Sequence, residues 1–282
     1  MKRIFRNIWD VVSYPLLYLG IQGVVSFFYT VVLSAIIGFQ NAAAIASAAM
    51  SPEEITALVM EKIDIQVPLL ISMLLTLFIV FLLQHKKWKE EQFWKTGGFK
   101  PALIPILIVL GIGLNLFTSG IASLIEGLGL FPEHAKIIGL TLSGNIWMQI
   151  VCVGLLAPIV EEIIFRGILL GRMRKKMNPV LAIFLQGLFF AVIHGNLLQG
   201  TYAFVLGVVL GLTIVWLRSI WAGFCIHTVF NMVSIIIAFY KEQNTSTIML
   251  LGISFIGLCI TVGVLARLFI FNRRIPELAY VE

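Results

Sequence analysis

The chain has 282 residues, 60% hydrophobic and only 12% charged, with a mean hydropathy of +1.01. A soluble domain carries about twice that share of charge, which excludes a soluble globular protein, and continuous rather than alternating apolar runs exclude a transmembrane β-barrel. The formal charge of +6 lies mostly at the ends of apolar segments, so it describes a membrane topology and gives no footprint for nucleic acid.

The expected fold is all-α: a polytopic membrane helix bundle forming one integral-membrane domain over 1–282. At the N-terminus "MKRIFR" has the character of a signal n-region, and "AAAIASAAM" (42–50) carries small residues at a cleavage-like spacing. The apolar stretch between them, 11–39, far exceeds an h-region of about 7–15 residues, so a retained first span is expected. Apolar windows of about 20 residues mark eight spans, near 11–38, 66–84, 101–121, 146–171, 179–196, 200–217, 219–240 and 247–271.

The segments between these spans are informative. "SPEEI" (51–55) reads as a helix start, with Ser51 as N-cap, Pro52 in the first turn and Glu54 completing a capping box. "KKWKEEQFWK" (86–95) interleaves Trp88, Phe93 and Trp94 with lysines, as an interfacial anchor does. "GLFPEHAK" reads as a loop, and His134 within it and His85 at a membrane edge receive no role. Cys152, Cys225 and Cys259 lie in apolar runs without metal-ligand spacing and read as small hydrophobes.

Orientation follows from the basic residues. With both termini inside, cytoplasmic segments hold sixteen of the 20 Lys and Arg. These are Lys2, Arg3, Arg6, Lys86, Lys87, Lys89, Lys95, Lys100, Arg172, Arg174, Lys175, Lys176, Arg218, Arg267, Arg273 and Arg274. Only Lys62, Lys136 and Lys241 fall outside, and Arg166 lies within the membrane. The positive-inside rule therefore gives an N-in, C-in chain.

Ionisable residues at membrane depth are costly and face a partner or a cavity. Here they are Glu161, Glu162 and Arg166 on the fourth span, His194 on the fifth, and His227 with Asn231 on the seventh. Glu162 and Arg166 are four residues apart and can pair on one helix face, whereas Glu161 points about 100° away. His227 and Asn231 share a face by the same spacing, as do Phe190 and His194. At 1.5 Å per residue, Glu161 lies about 15 Å from the cytoplasmic end of its span, Asn231 about 18 Å and His194 about 22 Å. One mid-membrane level thus gathers an acid, two imidazoles and an amide. Pro158 should strand the carbonyl of Gly154 and kink the helix beside Glu161. Gln22, Gln149, Gln186 and Asn115, also within spans, read as packing residues.

"EEIIFR" (161–166), "FAVIH" (190–194) and "HTVFN" (227–231), in that order on successive spans, resemble the CPBP family of CAAX proteases and bacteriocin-processing enzymes. The type II CAAX prenyl endopeptidases are the nearest well-defined kind. The resemblance covers about 147–240, and the motif-bearing core is set at 146–240. It implies eight helices around an intramembrane endopeptidase site opening towards the cytoplasm. Glu161 then corresponds to the acid that activates water, His194 to its helper, and His227 and Asn231 to an oxyanion-stabilising pair. Glu162, Arg166 and Phe190 become supporting residues. A carboxylate in apolar surroundings suits a general base that later acts as an acid. Zinc is an open alternative, held by Glu161, His194 and His227 with a free fourth position. The absence of an H-E-x-x-H helix, in which the base is separate from the ligands, favours a metal-independent mechanism. The implied setting is a bacterial or archaeal plasma membrane, and the implied partner a membrane-associated peptide or protein. Mid-membrane Glu and His also suit a proton- or ion-coupled transporter, although no repeat or paired broken helices accompany them. A non-catalytic bacteriocin-immunity protein is the third reading.

Overall fold

A computed structural model describes residues 2–47, 49–90, 99–142, 144–240 and 246–273. Phe93, Trp94 and Lys95 of the basic loop, together with Lys241 and Arg274, lie outside them. Among the described residues every regular element is helical. Helix α1 (Lys2–Gln40) is followed by two short helices, α2 (Ala42–Ala46) and α3 (Pro52–Lys62), and by α4 (Gln66–Glu90). A 3₁₀ turn, Pro101–Leu103, leads into α5 (Ile104–Gly127), followed by α6 (Pro132–Thr141). The long α7 spans Ile146–Arg174. Then come α8 (Pro179–Val192), α9 (Leu197–Leu217), α10 (Ile220–Tyr240) and α11 (Thr247–Arg273).

The start of α3 follows its sequence. Ser51 Oγ accepts from the Glu54 N–H at 3.2 Å, and Glu54 Oε2 accepts from the Ser51 N–H at 2.7 Å. Seven helices, α1, α4, α5, α7, α9, α10 and α11, are long and apolar enough to cross a membrane. The fifth expected span, 179–196, is shorter than its hydropathy suggested. Helix α8 has 14 residues, about 21 Å against a hydrocarbon core of about 30 Å. Its chain breaks at Gly195, where φ is +65°, a conformation that suits a residue without Cβ. Asn196 then caps α9 by accepting from the Gln199 N–H at 3.0 Å. The α8–α9 hairpin therefore turns within the apolar layer.

Contacts identify the two ends of the bundle. At one, Lys176 pairs with Asp10 at 3.4 Å, Arg172 donates to the Asp10 carbonyl and stacks on Tyr14, and Gln84 donates to the Tyr14 hydroxyl. Trp216 and Phe269 meet at the same end, 5.6 Å between ring centres. At the other, Tyr29 accepts from the Asp64 N–H at 3.3 Å, and Gln149 donates to the Leu142 carbonyl at 2.8 Å. The first is the basic end.

Helices α5 and α11 form the tightest seam. A Cβ added at Gly257 would stand 2.6 Å from the Gly113 carbonyl oxygen and closer still to the Phe117 amide. Small residues permit this approach, as membrane helices require where the hydrophobic effect cannot drive association. Asn115, on the same helix as Gly113, donates to the Phe230 carbonyl at 2.9 Å and to Ser234 at 2.7 Å, joining α5 to α10.

Candidate active site

The site begins with the helical register of α7. Two stretches, Ile150–Leu156 and Glu162–Leu170, are π-helical, with Ala157–Glu161 in α geometry between them. Such local π register is common at functional sites. The Ala157 N–H donates back to the Cys152 carbonyl, five residues away, and so leaves Val153 without its ordinary donor. The next donor in the π register would be residue 158, a proline with no N–H. Asn231 fills the gap: its amide donates to the Val153 carbonyl at 2.8 Å. The sequence expectation placed the stranded carbonyl at Gly154, whereas the π register makes Val153 the one that Asn231 serves. One of the two Asn231 N–H groups is therefore committed to structure.

The face shared by His227 and Asn231 continues to Gly223, four residues before His227. A Cβ there would meet Glu162 Oε2 at 2.5 Å and Ile214 at 2.6 Å. That bare backbone lets the fully buried Glu162 approach α10. Its Oε1 lies 3.0 Å from Arg166 Nη1 and accepts from His227 Nδ1–H at 2.8 Å. The expected Glu162–Arg166 pair is present, and it extends to His227, which the sequence spacing had not shown. Arg166 lies over the Phe190 ring at 4.1 Å. The same ring meets Phe165, His194 and His227 edge-on, with centroids 5.2, 4.8 and 5.9 Å away. Phe190 is thus the apolar hub of the charged cluster.

Glu161 points away from this pair, as its rotation on the helix predicted. Its Oε2 lies 3.7 Å from His227 Nε2, and its carboxylate faces the hydroxyl of Tyr18, beside which lies the Gln22 amide. Neither residue was a candidate from sequence. Their signal was available: Tyr14, Tyr18 and Gln22 are polar residues at four-residue spacing along an otherwise apolar span. Gln149, Gln186 and Asn115 take packing roles as expected, Gln186 by donating to the Gly207 carbonyl at 2.7 Å.

His194 sits just past the end of α8, where its Nδ1 donates to the Phe190 carbonyl at 2.6 Å. In the neutral ring, Nε2 is then an acceptor. Glu161, His194, His227 and Asn231 all line one cavity of about 1270 Å³, as do Tyr18 and Gln22.

The cavity corrects two expectations. His134, read as a loop residue, is buried on α6, where Nδ1 lies 2.5 Å from Glu126 Oε1 and Nε2 lies 3.3 Å from the Tyr202 hydroxyl. This cluster forms part of the cavity wall. The direction of opening also differs. The wall takes in the end of α5, α6 and the facing ends of α10 and α11, and no residue of α7 beyond Glu161. Below Glu161, Ile164, Phe165, Leu169, Leu170 and Met173 are at most 2% exposed and close the way to the basic end. The cavity opens at the end remote from the basic cluster, opposite to the cytoplasmic opening that the resemblance implied.

A zinc centre needs three protein side chains converging on one point at about 2.0–2.2 Å. Among the described residues no three His, Cys, Asp or Glu side chains do so. Glu161, His194 and His227 as placed do not fit the ion, and no step below is routed through a metal.

Residues 143–233 match the family described as Type II CAAX prenyl endopeptidase Rce1-like. Among curated proteins, the chain is 26% identical over 154 residues to "Putative membrane peptidase YdiL" of Bacillus subtilis (strain 168). That match spans 51% of this chain and 63% of that protein. No solved structure matches the chain.

Proposed function

We propose, from the match of residues 143–233 to the Type II CAAX prenyl endopeptidase Rce1-like family, that the chain is an intramembrane endopeptidase acting on a membrane-associated peptide or protein. The observation that carries this reading is the convergence of Glu161, His194, His227 and Asn231 on one cavity.

Water held between Glu161 and His194 Nε2 gives a proton to Glu161 as its oxygen attacks the peptide carbonyl carbon. The carbonyl oxygen becomes an oxyanion facing the second N–H of Asn231, whose first is held by Val153. His227 Nδ1–H is held by Glu162, so Nε2 can donate to the oxyanion only when the ring carries both protons. Glu161 then passes its proton to the peptide nitrogen as the C–N bond breaks, leaving a carboxylic acid and an amine. Tyr18 orients the Glu161 carboxylate throughout, and the Glu162–Arg166 pair fixes His227.

The test is mass spectrometry of membrane peptides from bilayers containing the wild-type protein or its Glu161→Gln form. New cleavage products found only with wild type support the reading. Absence of cleavage together with ion flux that depends on Glu161 would replace it with a transporter. Absence of both would leave the immunity-type binder.

A further inference from the structure

We infer that the catalytic cavity is entered from the non-cytoplasmic face and takes peptide segments exposed on that side of the membrane. This deepens the endopeptidase reading and rests on it. The basic cluster marks the cytoplasmic end, since Lys and Arg collect there. The packed layer from Ile164 to Met173 seals that end from Glu161. The open end lies between the end of α5, helix α6 and the facing ends of α10 and α11.

A second, smaller cavity of about 340 Å³ between α1 and the start of α4 leads to the same end, past Ser26 and Tyr29. It shares Gln22 and Leu69 with the main cavity, beside the Tyr18–Glu161 contact. Two approaches from one face therefore meet at the catalytic acid. The main cavity exceeds the roughly 300–1,000 Å³ of small-molecule sites, and an extended chain advances only about 3.3–3.6 Å per residue. A peptide segment fits this space better than a small metabolite does.

Charge narrows the occupant further. Among the described residues, the ionisable groups of the wall include Glu126, His134, Glu161, His194 and His227, with no Lys or Arg. A free C-terminal carboxylate, such as the end of a cytoplasmic CAAX-type tail, finds no cationic partner among these residues. An internal stretch of an exported or membrane-anchored chain needs none.

The direction of entry can be measured without any assumption about activity. Ser119→Cys lies on the cavity wall about 12 Å inside the end of α5, and Ile138→Cys lies on α6 at the rim. Lys87→Cys, on the exposed basic end of α4, is the control. Each full-length variant is treated with a membrane-impermeant maleimide in intact cells and in inverted vesicles, against the parent chain with its three native cysteines. Both cavity positions should react at least tenfold faster in intact cells, and Lys87→Cys only in inverted vesicles. Cavity cysteines that react from the same side as Lys87→Cys, or from neither side in folded protein, overturn the inference, as does outward labelling of Lys87→Cys. A second arm uses a single-span reporter carrying its cleavable stretch on the outer or the inner side. Outer cleavage lost in Glu161→Gln supports the inference, and inner cleavage overturns it. If neither reporter is cut while the cavity labels from outside, the endopeptidase reading fails and the direction of entry stands.

Discussion

Two adjacent carboxylates in one apolar helix divide the work of the site by what each touches. Glu161 faces the Tyr18 hydroxyl, a distant imidazole and open cavity, so Glu161→Gln should abolish turnover and leave thermal melting near wild type. Glu162 holds both Arg166 and His227 through one oxygen. Its conversion to Gln leaves a buried guanidinium without its counter-charge, a loss of about 3–5 kcal/mol, and also frees the His227 ring. Melting and activity should therefore both fall. A stable, inactive Glu162→Gln beside an active Glu161→Gln would reverse the roles. Tyr18→Phe tests the contact that the sequence reading passed over. A hydrogen bond to a charged group contributes about 1.5–3 kcal/mol, so its loss should lower kcat by about 10- to 100-fold with KM little changed. Wild-type kcat in a folded Tyr18→Phe would demote the tyrosine to packing. Because the donor set does not converge on a zinc site, a strong chelator should leave turnover unchanged. Activity lost with stoichiometric zinc and regained with it would overturn the glutamate mechanism.

At the scale of the element, α7 departs from what spacing alone could say. The acidic pair, its arginine and the proline were all legible, and so was a local break beside Glu161. The form of the break was not, because a choice between α and π register depends on a donor from another helix. Asn231 supplies that donor, so one substitution cannot separate this structural bond from the oxyanion role proposed for it. Asn231→Ala should lower kcat by about 100- to 1,000-fold as an oxyanion donor is lost. It should also cost about 1–3 kcal/mol for the carbonyl left unpaired. Pro158→Ala restores an N–H five residues from Val153, where the π register can use it. In the Pro158→Ala/Asn231→Ala double variant, melting should return towards that of Pro158→Ala while kcat stays low. If activity returns along with stability, Asn231 acts through the backbone alone. If neither returns, Val153 is not the group whose pairing matters. His194 was legible as a motif residue but misplaced in a helix, since the turn at Gly195 ends α8 before it.

For the whole molecule, hydropathy defined the order of the spans well, because continuous apolar windows need no tertiary information, but it counted the 14-residue α8 as an eighth. The direction in which the cavity opens was not readable in the same way. It depends on which helix ends part and which pack, and that is decided by side chains far apart in sequence, such as Asn115 with Ser234 and His134 with Tyr202. The wall bearing α5, α10 and α11 is held by the glycine seam, which makes the seam a test of the architecture. At Gly257 an added methyl meets the backbone of Gly113 and Phe117, which cannot rotate aside as a side chain can. The two helices must separate, and overpacking of this kind costs about 1–3 kcal/mol. Gly252, on the same helix, has open space where its Cβ would be, so alanine there removes only the flexibility of glycine and should be neutral or stabilising by up to about 1 kcal/mol. Thermal melting of Gly257→Ala and Gly252→Ala in the same detergent should therefore move in opposite directions, or only the former should move. Equal melting of the two variants would mean that α5 and α11 are not in backbone contact, and the outer wall of the cavity would need another support.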